Sequence, residues 1–298
     1  MYKLCDTCNK IQINPETYNI TSHNNERWQM FPYPLPILNR KSGSQITDID
    51  FGKEKRGRLV YFWGSHPKEV DIPVSYPNPY EDSDNSGLVF LDNNGKATIT
   101  HDCPQTYSDL GISYMSHLHF LISNKNNTKW EDRIYTQGIL CSVDKNFVIN
   151  ALENNSHLII DALSPEYFMK LSIPNAFNLF YEDAEKMNSV ILKDIINSFI
   201  KSKLSKKLRN NLKYLKLTLE DTPIIVYCYD SKCNASHKLA NALFKAGFTN
   251  VVKYTGGIMD WTNREEFEKK NSKKNSKNNS KNNSKKNSKK NRKNNNKK

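Results

Sequence analysis

One stretch of this chain, residues 222–261, constrains its fold more than any other part of the sequence. It opens with a short unbroken apolar run, Ile224–Tyr227, which is typical of a strand buried on both faces of a parallel sheet. Apolar residues then recur at helical spacing as far as Gly247, a residue type that commonly ends helices. A second apolar run, Val251–Tyr254, follows. This order of strand, loop, helix and strand predicts a parallel sheet covered by helices.

A cysteine stands where the first of these strands ends. Cys228 follows the apolar run, and the next loop leads into the predicted helix. Loop amides and the positive end of a helix stabilise a thiolate, so this position suits a sulfur nucleophile. Lys232 in the loop adds attraction for anions, whereas Asp230 opposes it. A second thiol, Cys233, lies nearer to the helix in sequence and is the alternative nucleophile, but we favour Cys228 because of its place at the strand end.

This stretch resembles the rhodanese, or sulfurtransferase, family. The matching motifs are Tyr227-Cys228, Ser236 at the start of the helix, Ala242-Leu243, Gly247-Phe248 with Val251, Gly256-Gly257 with Trp261, and, upstream, residues 158–161, 164–167 and 173–179. The resemblance covers residues 145 to 265. It implies that Cys228 takes sulfur from a small anionic donor such as thiosulfate, that a thiol acceptor collects it from the resulting persulfide, and that no cofactor is required. Cys233, Lys232 and Ser236 would then belong to the same site.

Departures from the family pattern leave the activity open. The family usually has an Arg and a His at the positions of Leu163 and Ser172, and the loop from Cys228 to Ser236 is longer than usual. Related phosphatases also use a longer loop, but they hold phosphoryl oxygens with an Arg that this loop lacks, so a phosphatase is disfavoured. Two alternatives to sulfur transfer therefore stand: a silent rhodanese fold used for docking, and a bridge between Cys228 and Cys233 that makes the loop redox-sensitive.

The first half of the chain has the pattern of an antiparallel β domain. Between residues 55 and 143, short β-forming runs alternate with turn signals such as the Asp-Asn-Asn-Gly of residues 92–95, and no helical period stands out. We predict a small β-sandwich over residues 55–143. Residues 1–54 are predicted to form an arm before it, and residues 144–268 the rhodanese-like domain after it.

Two histidines on one strand of the sandwich suggest a metal site. His117 and His119 flank a single residue, so their side chains point to the same face of the strand. Two imidazoles together with tyrosinates can hold a ferric ion. The order of features is similar to that of intradiol dioxygenases, which cleave catechols with non-haem iron. The motifs that carry this resemblance are the hairpin of residues 92–95, Pro104 with Tyr107, residues 117–120 (His-Leu-His-Phe) and residues 136–137 (Thr-Gln).

This second resemblance implies a set of iron ligands. They would be Tyr80, Tyr107, His117 and His119, with Tyr76 as the alternative to Tyr80. The competing interpretation is that the two histidines form only the polar face of a strand, in a β-sandwich that serves as a binding or interaction module.

The cysteines suggest one further metal site and indicate the cellular compartment of the protein. Cys5 and Cys8 form half of a zinc-binding pattern that only Cys103, Cys141 or His23 could complete through the fold, so two ordinary thiols are the favoured interpretation. Six cysteines in a chain of this length do not form a disulfide framework, which favours a reducing, intracellular and cytoplasmic setting. The start of the chain lacks the pattern of a signal peptide, and no apolar run is long enough to span a membrane.

Charge is concentrated at the end of the sequence. The chain has a net charge of +13, and fourteen Lys or Arg lie in residues 269–298, so the rest is close to neutral. This tail repeats short Asn-Ser-Lys units without apolar residues, which predicts disorder. It can bind nucleic acid or other polyanions non-specifically; the alternative is a codon-bias expansion without a role.

Overall fold

The computed structural model describes residues 37–75, 78–80 and 85–262. Within them it confirms the predicted fold class, because mainly antiparallel sheets form the first half and a parallel sheet with helices forms the second. Several predictions fall outside the described residues and stay predictions. They concern Cys5, Cys8, His23, Tyr76 and the basic tail.

The first half contains one main sheet and two smaller ones. The main sheet has the strand order β1-β5-β3-β9-β10, and the smaller sheets are β2-β6 and β4-β7-β8. The strands are β1 (Ile37–Leu38), β2 (Gln45–Asp50), β3 (Leu59–Gly64), β4 (Val74–Ser75), β5 (Ser86–Phe90), β6 (Lys96–His101), β7 (Tyr107–Asp109), β8 (Ile112–Tyr114), β9 (His117–Ser123) and β10 (Trp130–Gly138).

Strand β3 shows how the main sheet is covered on both faces. Successive side chains of a strand point to opposite faces. Val60 and Phe62 pack in one cluster with Ile49 of β2, whereas Tyr61 packs in another cluster with Tyr107 of β7. Each small sheet therefore covers one face of the main sheet, and the second face is the aromatic one.

Two boundaries in the first half differ from the sequence prediction. Strand β2 lies inside the segment predicted to be an arm, and it pairs along its whole length with β6. The sandwich predicted to extend to residue 143 ends instead with β10 at Gly138, and Ser142–Val143 forms a separate strand, β11, that pairs with the sheet of the second half. The sequence pattern could not show this change of partner, because both segments are equally β-forming.

The second half is a parallel sheet with helices. Its strand order is β11-β15-β14-β12-β13, and every pairing in it is parallel. The elements that follow β11 are α1 (Lys145–Asn154), β12 (Leu158–Asp161), α2 (Pro165–Lys170), β13 (Phe177–Asn178), α3 (Tyr181–Lys186), α4 (Ser189–Lys201), α5 (Lys206–Tyr214), β14 (Ile224–Tyr227), α6 (Ala235–Ala246) and β15 (Val251–Tyr254). In the described ranges, no helix is both long and apolar enough to cross a lipid bilayer.

Local signals explain where these elements end. Strands β14 and β15 have the predicted bounds, and α6 ends before Gly247, which adopts a positive φ of 102°. Helices α3 and α4 are separated by two residues in extended conformation, Met187 and Asn188. The Asn188 side chain accepts a hydrogen bond from the amide of Ile191 and so caps the start of α4.

The two halves share a hydrophobic core. Phe62 and Ile139 from the first half belong to the same buried cluster as Tyr227 and Val252 from the second. Polar contacts also cross the boundary. The Lys68 Nζ donates to Asn250 Oδ1 at 2.7 Å, and the Asn250 amide donates back to the carbonyl oxygen of Asp71 at 2.7 Å. The loop that carries Lys68 and Asp71 is therefore fixed to the parallel sheet.

A disulfide corrects the expectation that the cysteines are all reduced thiols. Cys103 is bonded to Cys141, with their Cα atoms 5.7 Å apart. The bond joins the chain just after β6 to the chain just before β11. Because each sulfur is used in this bond, neither cysteine can complete a zinc site with Cys5 and Cys8. The spacing in sequence gave no sign of the pairing, since the partners meet only through the fold.

Candidate functional sites

The four side chains proposed as metal ligands meet at one place in the first half. Tyr80 ends a short 3-10 turn, Tyr107 begins β7, and His117 and His119 lie on β9. All four are buried. The Tyr80 Oη lies 3.2 Å from Tyr107 Oη and 3.4 Å from the Nε2 atoms of both histidines, and Tyr107 Oη lies 3.4 Å from His117 Nε2.

Aromatic rings enclose this group. The two histidines share the aromatic face of the main sheet, because alternate residues of β9 point the same way. The Trp63 ring lies 5.1 Å from that of His119, and the Tyr114 ring lies 5.2 Å from that of Tyr107. These walls exclude water, which strengthens the electrostatic interactions inside.

The outer nitrogens of both histidines have partners, and the partner of His117 fixes the position of its proton. The His117 Nδ1 lies 2.6 Å from the carbonyl oxygen of Met115, so Nδ1 must donate and Nε2 carries the lone pair. The His119 Nδ1 lies 3.0 Å from Thr136 Oγ1. Burial lowers the pKa of His117 to about 4 and the pKa of His119 well below its usual value, so both imidazoles are neutral at pH 7. Neutral imidazoles whose other nitrogen is held by a partner are typical metal ligands.

The spacing of the polar atoms fits a metal ion. Four of the six distances among these polar atoms measure 3.2 to 3.4 Å, which is the separation of neighbouring ligands that each lie about 2.0 to 2.1 Å from a tetrahedral metal ion. Contacts of 3.4 Å are long for hydrogen bonds, so this spacing suits a bound metal ion better than direct hydrogen bonds among the four side chains. Among the described residues, no group of three or more His, Cys, Asp or Glu is placed to bind a metal, so the tyrosines are essential to this site.

The second site lies in the parallel sheet, where Cys228 follows β14. Its side chain is only 2% exposed, and its Sγ lies 3.2 Å from Ser236 Oγ in the first turn of α6. The backbone amide of Ser236 also hydrogen-bonds to this sulfur. Although Cys233 lies nearer to α6 in sequence, the sulfur that faces the start of the helix is therefore that of Cys228. Both donors of Ser236 lower the pKa of the Cys228 thiol.

Other contacts of Cys228 outweigh these donors. Its Sγ lies 3.3 Å from the carbonyl oxygen of Cys233 and 3.8 Å from that of Asp230, and both oxygens accept the proton of a thiol but repel a thiolate. Burial and a hydrogen bond with the Cys233 thiol raise the pKa of Cys228 to about 11. The sequence prediction of a stabilised thiolate is therefore wrong for this conformation of the loop.

The loop amides that were expected to face the sulfur are engaged elsewhere. The Asp230 Oδ1 accepts hydrogen bonds from the backbone amides of Lys232 and Cys233, each at 3.0 Å. The side chain of Lys232 is exposed, so water screens its charge. From its charge alone, Asp230 was expected only to oppose a thiolate. Its role as acceptor follows from its position two and three residues before these amides, a spacing that is typical of Asp side chains in turns.

The structure gives a physical reason for the Gly256-Gly257 motif. Gly257 has a φ of 62°, and a Cβ there would lie 2.5 Å from the carbonyl oxygen of Cys228 and 2.6 Å from that of Tyr229. The amide of Ile258 donates to the Cys228 carbonyl at 2.9 Å. The backbone of the turn thus packs directly against the backbone that carries the thiol, and only glycine fits.

The position where the family usually has an Arg is apolar. Leu163 packs against the core of the second half, and its amide donates to Asp161 Oδ1 at 2.8 Å. Burial raises the pKa of the Asp161 carboxyl group, which faces the hydroxyl group of Tyr227. Burial, rather than an ion pair with an Arg at position 163, therefore determines the protonation state of Asp161.

The fold and this site define the class of the second half: an α/β domain with a cysteine at the carboxyl end of a central parallel strand, facing the next helix. Residues 145–264 match the family model of the rhodanese-like domain. This part of the chain is a rhodanese-like domain, as the sequence motifs predicted.

Part of the chain is also similar to solved structures. The chain is similar to the Saccharomyces cerevisiae single-domain sulfurtransferase RDL2, with 17% identity, 44% of this chain and 94% of that chain covered, and a TM-score of 0.30. For the human single-domain sulfurtransferase TSTD1, the identity is 17%, the coverage 41% and 95%, and the TM-score 0.30. For the Bacillus halodurans protein BH2092, they are 20%, 42% and 73%, and 0.29. No curated protein matches the chain in sequence. Likenesses at this level carry no conclusion about activity.

Proposed function

We propose that the rhodanese-like domain is a sulfurtransferase that forms a persulfide on Cys228. The observation that carries this proposal is the contact of the Cys228 sulfur with the hydroxyl group and the amide of Ser236 at the start of α6. The Cys228 thiolate attacks the outer sulfur of a small anionic donor such as thiosulfate, the bond to the sulfonate breaks, and sulfite leaves with the electron pair. A thiol acceptor then takes the outer sulfur.

The resting loop must change for this reaction to proceed. With a pKa of about 11, forming the thiolate at pH 7 costs about 5 kcal/mol. Opening the loop would separate the sulfur from the carbonyl oxygens of Asp230 and Cys233 and would release the two amides that Asp230 holds. The reaction also needs a reduced thiol at position 228, which is the basis for proposing a reducing, intracellular setting.

An assay with thiosulfate and cyanide tests this proposal. We expect thiocyanate to form with a rate that rises from pH 7 to pH 10, because the thiolate fraction rises over this range. The Cys228→Ser variant should lose the reaction while its unfolding midpoint near neutral pH stays close to that of the wild type. If the wild-type protein forms neither thiocyanate nor a persulfide at any pH in this range, the rhodanese-like domain serves for docking alone.

We infer a second candidate function, a non-haem iron site in the first half. The observation that favours it is the convergence of four polar atoms at the spacing of metal ligands. Tyr80, Tyr107, His117 and His119 would hold the ion. The carbonyl oxygen of Met115 leaves the Nε2 lone pair of His117 free to bind it, and the Thr136 hydroxyl group holds the ring of His119 in place. A ferric ion held in this way would supply a Lewis acid for a catechol. Oxygen and imidazole ligands suit iron.

Metal analysis with a pair of tyrosine variants tests the iron site. The protein loaded with ferric iron should bind one ion per chain and show visible absorption from charge transfer between phenolate and iron. Tyr107→Phe should shift and weaken that band, whereas Tyr114→Phe, which alters the adjacent ring, should leave it in place. A protein that binds no iron, or an absorption band that survives Tyr107→Phe unchanged, would leave the cluster as a buried polar face.

A further inference from the structure

The active-site loop holds two free thiols close together. Neither Cys228 nor Cys233 is in a disulfide, and the Cys228 thiol donates a hydrogen bond to the side chain of Cys233. The backbone of Cys233 is also close, with its carbonyl oxygen 3.3 Å from Cys228 Sγ. Both side chains belong to one cluster in the core of the second half. A second sulfur is thus already placed beside the sulfur that would carry the persulfide.

The two thiols differ in how well solvent reaches them. Cys228 is 2% exposed, whereas Cys233 is only partly buried. An external acceptor must travel to a persulfide on Cys228 past the loop and the turn at Gly257. The Cys233 thiol meets no such barrier, and a group held in contact reacts as if it were present at a very high concentration. The internal thiol therefore competes well against any thiol in solution.

We propose that Cys233 is a resolving cysteine, which attacks the persulfide on Cys228 and releases its outer sulfur as hydrosulfide. This inference rests on the proposed sulfurtransferase function and adds a step to it. The Cys233 thiolate attacks the inner sulfur, Cys228 Sγ, and a disulfide between the two residues forms. The sulfur–sulfur bond of the persulfide breaks, and the outer sulfur leaves with the electron pair. The proton of the Cys233 thiol ends on the hydrosulfide.

The cycle closes with an external reductant. The new disulfide is reduced by two monothiols or one dithiol, which become oxidised as both cysteines return to thiols. Over one cycle, the sulfane sulfur of the donor is therefore reduced to hydrosulfide by two thiol equivalents. The acceptor in this scheme is a reductant and carries no sulfur away. This chemistry distinguishes the protein from a carrier that hands its persulfide to a partner.

A single turnover without added thiol tests the resolving role. The reduced full-length protein is mixed with thiosulfate, free hydrosulfide is measured, and the protein is alkylated and analysed by mass spectrometry with peptide mapping. For the wild type, we expect about one hydrosulfide per chain and a bond between Cys228 and Cys233, assigned separately from Cys5 and Cys8. In Cys233→Ser, the persulfide should stay on Cys228, and hydrosulfide release should fall at least about tenfold. Ser231→Ala, an exposed change in the same loop, should behave as the wild type.

The outcomes separate this step from the first one. If wild-type protein and Cys233→Ser accumulate the same persulfide on Cys228 without hydrosulfide, the resolving role is wrong and sulfur transfer stands. If neither protein gains sulfur, the proposed function itself fails. If the persulfide of the wild type is found on Cys233, the thiol attacked the outer sulfur, and Cys233 is a delivery residue instead of a resolving one.

Discussion

The two candidate sites both bury polar groups, but they satisfy the hydrogen bonds of these groups in opposite ways. The candidate iron site takes its four groups from a turn and two strands, and partners outside the group hold the Nδ1 atoms of both histidines. The thiol site is built within nine consecutive residues, 228–236, and its groups bond to one another. A site assembled from separate elements of a rigid core is preorganised, whereas a site made of one loop can rearrange.

The difference extends to charge. In the first half, two neutral imidazoles place their Nε2 atoms at the centre of the group, an arrangement that suits a cation. In the second half, the carbonyl oxygens of Asp230 and Cys233 face the sulfur, an arrangement that rejects an anion. We therefore expect the first site to be ready for its ligand and the second to require a change in the loop. The predictions below test this contrast.

Iron binding should give the largest effect. At an iron concentration about a thousandfold above the dissociation constant, binding to the folded protein alone stabilises it by about 4 kcal/mol. The measurement is the thermal unfolding midpoint with ferric iron and after chelation. Tyr107→Phe should show a much smaller shift, and Tyr114→Phe should match the wild type. An equal shift in all three proteins would mean that iron binds elsewhere.

The protonated thiol should make the protein sensitive to alkali. Burial raises the pKa of Cys228 from 9.0 to about 11, so between these values the folded chain binds more protons than the unfolded chain. Stability from this group is full below pH 9 and is lost as the pH rises through 11, a loss of up to about 3 kcal/mol. Urea unfolding at pH 8 and at pH 10.5 measures it.

The matched variants identify the group responsible. In Cys228→Ser, the decrease in the free energy of unfolding between the two pH values should be smaller, because the serine does not titrate there. Ser231→Ala should retain the decrease of the wild type. If Cys228→Ser loses as much stability as the wild type, another group causes the loss, and the thiol of Cys228 is less buried than the structure indicates.

Much of the fold could be predicted from sequence, but the geometry of the sites less so. The buried strand Ile224–Tyr227 and the stop at Gly247 are local signals, and both were predicted at the right residues. The prediction that Tyr80 lies near His117 depended on the resemblance to a family, since no local pattern links a loop to a strand so far along the chain. The bond between Cys103 and Cys141 was unforeseeable for the same reason.

The state of the thiol could not be predicted because opposing effects are similar in size. A helix start contributes roughly 0.3 to 2 kcal/mol toward a thiolate, and burial opposes it by a similar or larger amount. Sequence shows that both effects are present near Cys228. Only the positions of the carbonyl oxygens and of the Asp230 side chain decide which one wins.

A pair of glycine variants, one in each half, should change the free energy of unfolding by smaller amounts. Gly257 and Gly57 both have a positive φ, but a Cβ at Gly257 meets backbone oxygens at 2.5 and 2.6 Å, whereas a Cβ at Gly57 meets nothing within 4 Å. Gly57→Ala should cost about 1 kcal/mol from its φ alone. Gly257→Ala should cost about 2 kcal/mol more, because the backbone of the site must shift. Urea unfolding measures both, and equal losses would show that the turn yields without strain.

The smallest effect should come from Asp230, and it bears most directly on whether the loop can open. Asp230→Ala removes the acceptor of the Lys232 and Cys233 amides, so these amides can turn to the sulfur, and it also removes a negative charge. We expect the pKa of Cys228 to fall and its alkylation at pH 8 to become several-fold faster, an effect of about 1 kcal/mol. Alkylation is followed at Cys228 itself by peptide mapping.

Asp230→Asn separates the two causes, because its side-chain oxygen still accepts both amides while the charge is gone. If the amides matter, Asp230→Ala should react faster than Asp230→Asn, and the latter only slightly faster than the wild type. Equal rates in the two variants would assign the whole effect to charge. A wild-type rate in Asp230→Ala would show that the carbonyl oxygens alone keep the sulfur protonated, and the loop would then have to move as a unit before any sulfur could be accepted.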